Sequence, residues 1–212
     1  LVVLLGDRFE ILGAAQAALI ARIPIAHIHG GESTEGAVDE AIRHSITKMA
    51  HLHFVAADEF RQRVIQLGEK PQHVWTVGAA GLDNVARIGL LTRDELESAL
   101  NIEIKPPFFV FTYHPVTLDN SAQGAQVCRL LEVLSEFGGS IIITGVNADM
   151  GSESIRSEVA KFVGQHSDNV SLVETLGSQR YLSAIALADA VVGNSSSGLL
   201  EAPALGVATI DI

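Results

Sequence analysis

Short apolar runs rich in valine and isoleucine alternate along the chain with longer stretches in which apolar residues recur at helical spacing. A run that is apolar at nearly every position suits a parallel strand buried on both faces. Its regular alternation with helical segments is the signature of βαβ units. The pattern predicts strands at 1–5, 23–28, 52–56, 73–77, 108–113, 140–144, 170–173, 190–192 and 208–212, and clear helices at 9–21, 39–50, 57–67, 122–137, 154–163, 178–188 and 197–205. Asp58 suits an N-cap or first-turn acid for the third of these helices, and Gly68 stands where a left-handed residue would end it.

Between 89 and 107 the alternation breaks. The segment is polar, holds a short helical pattern at 92–100 and closes on Lys105-Pro106-Pro107 before a new apolar run begins. This reads as a domain boundary and predicts an α/β protein of two Rossmann-like, doubly wound parallel-sheet lobes, 1–90 and 108–212, joined by a linker region at 91–107. The chain opens on Leu1 inside one strand-like run and stops at Ile212 inside another, so it reads as a fragment truncated at both ends.

Composition narrows the classes of function. With 48% hydrophobic and 18% charged residues over 212 positions, the chain has enough apolar material for one or two small cores and is too well mixed to be disordered. Acidic residues outnumber basic ones, 25 to 14, for a formal charge of −11, and no basic run offers a stripe to track a phosphate backbone, so no nucleic-acid partner is expected. Cys128 is the only cysteine, which excludes an intrachain disulfide or a thiolate zinc cluster and fits a reducing, cytoplasmic setting. The apolar runs fall short of the ~20 residues a membrane helix needs, so no membrane partner is expected either.

In an open α/β sheet, ligands bind beyond the carboxyl ends of the strands, and unusual polar residues collect at these ends. Gly6-Asp7-Arg8 follows the first run and His27-Ile28-His29-Gly30-Gly31-Glu32 closes the second. His114-Pro115 follows the fifth, Asn147 and Asp149 the sixth, and Gly193-Asn194-Ser195-Ser196-Ser197-Gly198 the eighth. At 193–198 a strand enters, small residues permit close approach and a helix is expected to begin, so free N–H groups and three hydroxyls converge on one spot suited to a diphosphate. The bland alternative is an ordinary serine-rich N-cap turn. Glu201, one turn on, would accept hydroxyls of a sugar such as ribose. Asp7-Arg8 is either a functional acid and base or a local ion pair. The stretch from His27 to His44 also holds Glu32, Glu35, Asp39, Glu40 and Arg43 around three glycines, a density of imidazoles and carboxylates able to supply general acids and bases. It lacks a clear third ligand on a rigid element, so no metal is expected. His44, His51 and His53 are assigned to satisfied core positions, as is the bland reading of His27 and His114.

Taken in order, Gly6-Asp7-Arg8-Phe9-Glu10, His27-Ile28-His29-Gly30-Gly31-Glu32, Asp39-Glu40-Ala41-Ile42-Arg43-His44, Val77-Gly78-Ala79-Ala80-Gly81-Leu82-Asp83, Tyr113-His114-Pro115, Asn147-Ala148-Asp149 and the 193–203 run resemble the hydrolysing UDP-N-acetylglucosamine 2-epimerases of sialic and legionaminic acid biosynthesis. The resemblance runs from end to end of the chain. It implies a GT-B architecture with a UDP-sugar held between two lobes, no cofactor, a homo-oligomer at full length, and basic diphosphate ligands beyond Ile212. The implied chemistry is anti elimination of UDP across C1–C2, then syn addition of water. Carried over by motif, Asp7 and Asp39 are catalytic carboxylates and His114 is a catalytic residue near the leaving group. Arg8, Glu32, Glu40, Arg43 and Asn147 become substrate ligands, and Ser195, Ser196, Ser197 and Glu201 hold the diphosphate and ribose. Many sialic-acid members carry a catalytic glutamate where this chain has His29, so His29, Glu32 or Glu35 fills that role. The rival readings are a GT-B glycosyltransferase that uses a UDP-sugar and a non-catalytic sugar-nucleotide binding fragment.

Overall fold

The computed structural model describes residues 1–34, 37–116, 123–146 and 152–212. By contacts the chain divides into two compact units, Leu1–Ala80 and Gly81–Ile212.

The first unit is a four-stranded, all-parallel sheet in the order β1-β2-β3-β4, with β1 at Val2–Leu5, β2 at Ile25–Ile28, β3 at Leu52–Val55 and β4 at Val74–Thr76. Helices α1 (Phe9–Ile20), α2 (Asp39–Met49) and α3 (Asp58–Gln66) make the returns that parallel pairing requires. Leu4 and Ile25 pack against Ala15 and Ala18 of α1 and Ile46 of α2, while Val55 and Val74 close on Val64 of α3. Two histidines share this interior. His27 and His53 are register partners on β2 and β3, and both are fully buried.

The second unit carries five parallel strands in the order β7-β6-β5-β8-β9, namely β5 at Phe108–Thr112, β6 at Ser140–Thr144, β7 at Val170–Val173, β8 at Ala190–Gly193 and β9 at Ala208–Asp211. From the central β5 the chain winds outward through β6 and β7, then returns to lay β8 and β9 on the other side. The strand order therefore reverses between β5 and β8, which is where a doubly wound sheet opens a crevice. Every residue of β5 is buried, and alternate residues serve opposite cores. Phe109 and Phe111 meet Val127 and Leu131 of α6 (Gln123–Ser135) and Val159 and Phe162 of α7 (Ser152–Gln165). Phe108 and Val110 meet Ala184 and Ile185 of α8 (Gly177–Leu187) and Leu96 of α5 (Arg93–Leu100).

All nine expected strands form, most of them shorter by a residue or two at the ends. Asp58 is a first-turn acid, with Ala57 at the N-cap, and Gly68 takes the left-handed conformation at φ +100°. A helix the pattern missed, α4 (Ala80–Arg87), lies between β4 and the polar stretch that begins at 89. The region expected as a linker at 91–107 packs within the second unit: α5 opens on a capping box between Thr92 and Glu95, and Leu96 and Ile104 are buried in its core. The single helix expected at 197–205 is instead a one-turn 3₁₀ segment, Ser196–Gly198, followed by a four-residue helix, α9 (Glu201–Ala204). Pro203 explains the interruption. It has no N–H to donate to the Leu199 carbonyl, and its ring crowds that position. Among the described residues no helix is long and apolar enough to cross a membrane.

Because Leu96 is fully buried, Leu96→Ala is expected to destabilise the second unit by about 2–5 kcal/mol, and Thr92→Ala, which removes the cap, by about 1 kcal/mol. Urea unfolding followed by tryptophan-independent far-UV signals would check both; wild-type stability for Leu96→Ala would show that 91–107 is not integral to that core. A second expectation concerns acid. Burial lowers the His27 pKa to about 4, so between the unfolded value near 6.5 and that figure the unfolded chain binds the extra proton. Stability should fall as pH drops through this window, by about 3 kcal/mol once complete. Thermal melts of His27→Gln and wild type from pH 7 to 4 would show it, and an equal acid loss in both would exclude His27 as the cause.

Candidate functional site

In the first unit, the chain leaves β1 through Gly6, at φ +82°, and presents Asp7 before α1 begins. The sequence suggested an Asp7-Arg8 pair. The structure instead joins Asp7 Oδ2 to Nη2 of Arg43 on α2, and Arg8 lies 3.8 Å from Glu10 with its guanidinium over the Phe9 ring. The reason is reach: neighbouring side chains on an extended segment diverge, whereas α2 runs back across the β1 and β2 exits. Arg43 is 4% exposed and also donates to Thr34 Oγ1 at 2.7 Å and Glu40 Oε2 at 3.3 Å. Its Nε has no partner. Arg43 thus acts on its surroundings chiefly by holding Asp7 and Glu40, and Glu40 in turn ties down the 33–34 loop through the Thr34 N–H and the Ser33 hydroxyl. Partial burial works to raise the Glu40 pKa, but those bonds and one from His44 hold it below the usual carboxylate value. Asp39 begins α2, half-buried.

Two residues apart along a strand, His27 and His29 would point the same way off β2. They do not, because His29 lies past the strand in the left-handed region, at φ 64°. Its Nδ1 sits 2.5 Å from Glu32 Oε1, and its Nε2 accepts the Ala80 N–H at 3.3 Å. The Glu32 hydrogen bond raises the His29 pKa above its ordinary value. Two contacts of Gly31 shape this loop. A side chain on Gly31 would meet the Phe60 carbonyl at 2.4 Å, and the Gly31 carbonyl accepts from Arg63. Of the histidines assigned to the core, only His53 is buried; His51 is exposed and His44 is half-buried beside Glu40.

In the second unit, a cavity of about 430 Å³ opens at the carboxyl ends of β5 to β8, at the reversal of strand order. Thr112, His114, Thr144, Gly145, Ser195 and Ser197 line it from the strand exits, and Gly177, Ser178 and Tyr181 from α8. His114 is fixed by its backbone: its N–H donates to Asn194 Oδ1 at 2.7 Å and its carbonyl accepts from Asn194 Nδ2 at 2.8 Å. The 193–198 loop can approach this closely only because Gly193, at φ +139°, lacks a side chain that would strike the Thr112 carbonyl at 1.7 Å. Ser195 and Ser197 face the cavity, whereas Ser196 is exposed and outside its lining. The short α9 supplies no extended helix dipole, so the polarity of this spot comes from hydroxyls and the 3₁₀ turn. Glu201 stands with Oε1 against Gly81, where a side chain would come within 2.9 Å, and its Oε2 is buried without a partner.

Several lining residues carried no sequence signal. Tyr181 lies mid-helix, where its hydroxyl reaches Ser197 Oγ at 2.5 Å and burial raises its pKa. Thr112 and Thr144 end ordinary apolar strands, yet their hydroxyls meet at 2.8 Å on the cavity floor. Among the described lining residues no lysine or arginine appears. Asn147 and Asp149, expected as site residues, and Glu35, a candidate for the catalytic role, lie outside the described residues.

Comparison with known proteins places these two units. Over all 212 residues the chain matches the family model described as UDP-N-acetylglucosamine 2-epimerase. It is 38% identical to the GDP/UDP-N,N'-diacetylbacillosamine 2-epimerase (hydrolyzing) of Campylobacter jejuni and 42% identical to the polysialic acid biosynthesis protein P7 of Escherichia coli, in each case over 100% of this chain and 56% and 54% of the relative. The chain therefore spans about half the length of these curated relatives. Among solved structures, the UDP-GlcNAc 2-epimerase of Neisseria meningitidis bound to UDP-GlcNAc superposes with a TM-score of 0.78 at 18% identity, covering 99% of this chain and 58% of that one. The S. aureus MnaA-UDP co-structure gives 0.78 at 16%, covering 98% and 55%. The likeness to these structures establishes the GT-B-like parallel α/β fold, and the match along its whole length establishes that the chain belongs to the UDP-N-acetylglucosamine 2-epimerase family.

Proposed function

We propose that this chain carries the acid–base and nucleotide-binding residues of a hydrolysing UDP-sugar 2-epimerase that acts on UDP-N-acetylglucosamine or a UDP-diacetamido-trideoxyhexose in nonulosonic acid biosynthesis. The observation that carries the reading is the set at the β1 and β2 exits, a carboxylate held by a buried guanidinium beside a hydrogen-bonded imidazole–carboxylate pair. Such a set is suited to moving a proton at a poorly acidic position. The names of the relatives, two hydrolysing 2-epimerases among them, support it.

The reaction balances without a redox partner. A base takes the C2 proton, the C–H electron pair forms the C1–C2 double bond, and UDP leaves from C1 with its bonding pair. Water then adds in a syn sense, hydroxyl to C1 and proton to C2 on one face, the face opposite that from which the C2 proton was taken, releasing a free manno-type sugar. In this scheme Asp7 and Asp39 are the carboxylates of the chemistry. His29 takes the role of the family's glutamate, with Glu32 fixing its ring so that Nε2, once released from the Ala80 N–H, is the proton-accepting atom. Arg8 and Glu40 contribute to substrate binding, and Arg43 holds Asp7. The second unit binds UDP, with the diphosphate over Ser195 and Ser197, Glu201 on the ribose and His114 near the leaving oxygen; hydrogen bonds that strengthen as charge develops on UDP assist its departure.

Three measurements on the full-length enzyme test this reading. Ser195→Asp keeps a residue competent to cap the 3₁₀ turn but adds a negative charge facing the cavity, so UDP affinity is expected to fall roughly tenfold to a hundredfold. Ser196→Asp, outside the lining, should lose less, and unchanged affinity for Ser195→Asp would remove the diphosphate from this spot. Asp39→Asn is expected to cut turnover by ~10²–10⁴ while UDP binding, a property of the second unit, stays near wild type. His29→Gln should be equally damaging. A base must be neutral, so the wild-type rate should fall as pH drops through the raised His29 pKa. Glu32→Gln, which removes the cause of the raise, should move that limb to lower pH. Full activity in His29→Gln would transfer the role elsewhere.

A further inference from the structure

From the buried hydrogen bonds of His27 we infer that this histidine is a positioning residue for Asp7: it fixes the Gly6–Asp7 peptide through one tautomer, locked by α2. This rests on the role given to Asp7 above. His27 is 0% exposed in the middle of the first unit, and its ring joins two elements that are far apart in sequence. Nε2 lies 2.9 Å from the Gly6 carbonyl, and Nδ1 lies 3.1 Å from Thr47 Oγ1.

A carbonyl oxygen only accepts, so Nε2 must carry the hydrogen. In the neutral ring Nδ1 is then an acceptor, and the Thr47 hydroxyl donates to it. Burial, which holds the His27 pKa near 4, keeps the ring neutral at physiological pH. The Gly6 carbonyl and the Asp7 N–H belong to one planar peptide. Fixing that carbonyl therefore orients the plane from which the Asp7 side chain departs, immediately after a glycine whose φ of +82° leaves the backbone few other constraints.

The geometry repeats itself. Thr47 is one helical turn from Arg43 on α2, and both are buried. The β1 exit is thus tied to α2 twice, once by Asp7 to Arg43 and once by Gly6 through His27 to Thr47. Gly30 closes over the second tie, since a side chain there would come within 3.0 Å of both His27 Nδ1 and Thr47 Oγ1. Neither ring nitrogen is left facing open space, so His27 is not itself a proton donor to substrate.

Two isosteric replacements separate the atoms. The glutamine amide nitrogen falls near the position of the histidine Nε2, and the asparagine amide nitrogen near Nδ1. In full-length enzyme, His27→Gln is expected to keep kcat within about threefold, whereas His27→Asn should lose about a hundredfold in kcat with little change in KM or UDP affinity, as displaced catalytic groups do. Equal effects of the two, or a loss only in Gln, would overturn the inference. Two readouts do not depend on turnover. Nitrogen-15 NMR of wild-type protein should show neutral His27 in the Nε2–H form from pH 8 down to about 5; the Nδ1–H form would overturn it even if neither variant folds. The carbon-13 chemical shift of the Asp7 carboxyl at pH 7 should be wild-type in Gln and displaced in Asn, and an undisplaced Asn variant would count against the inference. Should the enzyme prove to catalyse another reaction, these NMR outcomes still decide the positioning role by themselves.

Discussion

Parallel pairing is the constraint from which the rest of both units follows. When every strand runs the same way, each connection must travel back along the outside of the sheet, and helices are the form that satisfies the returning backbone. All strand exits then lie along one edge of their sheet. In the first unit that edge carries the loops after β1 and β2, with Asp7 and His29. In the second it carries the loops after β5 to β8 and the cavity between them. The catalytic candidates need no special arrangement to be gathered; the topology gathers them.

Precision comes from a second layer, in which buried polar groups hold the exits in place. An exposed ion pair contributes little, but Arg43 is almost wholly enclosed, and an enclosed guanidinium without its carboxylates would carry a heavy desolvation cost. The helix is therefore committed to its partners on the β1 exit and the 33–34 loop. Glycines supply the complementary device. At Gly31, Gly145 and Gly193 another backbone carbonyl, from α3, from the exit of β7 and from β5 respectively, occupies the space a side chain would need, so the chain is pressed against its neighbours at positions that tolerate no larger residue. Asn194 achieves the same with its amide, which pairs with both backbone groups of His114.

The two units divide their chemistry by charge. The first concentrates ionisable groups that partner each other, with pKa values moved in opposite directions by a hydrogen-bonded carboxylate at His29 and by burial at His27. The second lines its cavity with hydroxyls, backbone and a tyrosine, beside which the described lining holds His114 and Glu174. A neutral hydroxyl lining suits an anion that brings its own charge and is held by many directed donors.

The sequence by itself determined the alternation of strands and helices, the parallel α/β class and the strand ends at which the candidate residues collect, because these depend on local apolar period and on residue types at short spacing. It also carried the ordered motifs by which the family is recognised. It could not show that Asp7 belongs to Arg43 rather than Arg8, since that pairing spans 36 positions and depends on where α2 crosses the sheet. Nor could it assign Tyr181 and the two threonines to the cavity, or set His27 apart from His29, because one left-handed residue after β2 turns the two rings into different surroundings. The single helix expected at 197–205 is interrupted by Pro203, a signal the sequence itself carries, whereas the place of 91–107 within the second unit depends on the burial of Leu96, a contact that only the folded chain brings together.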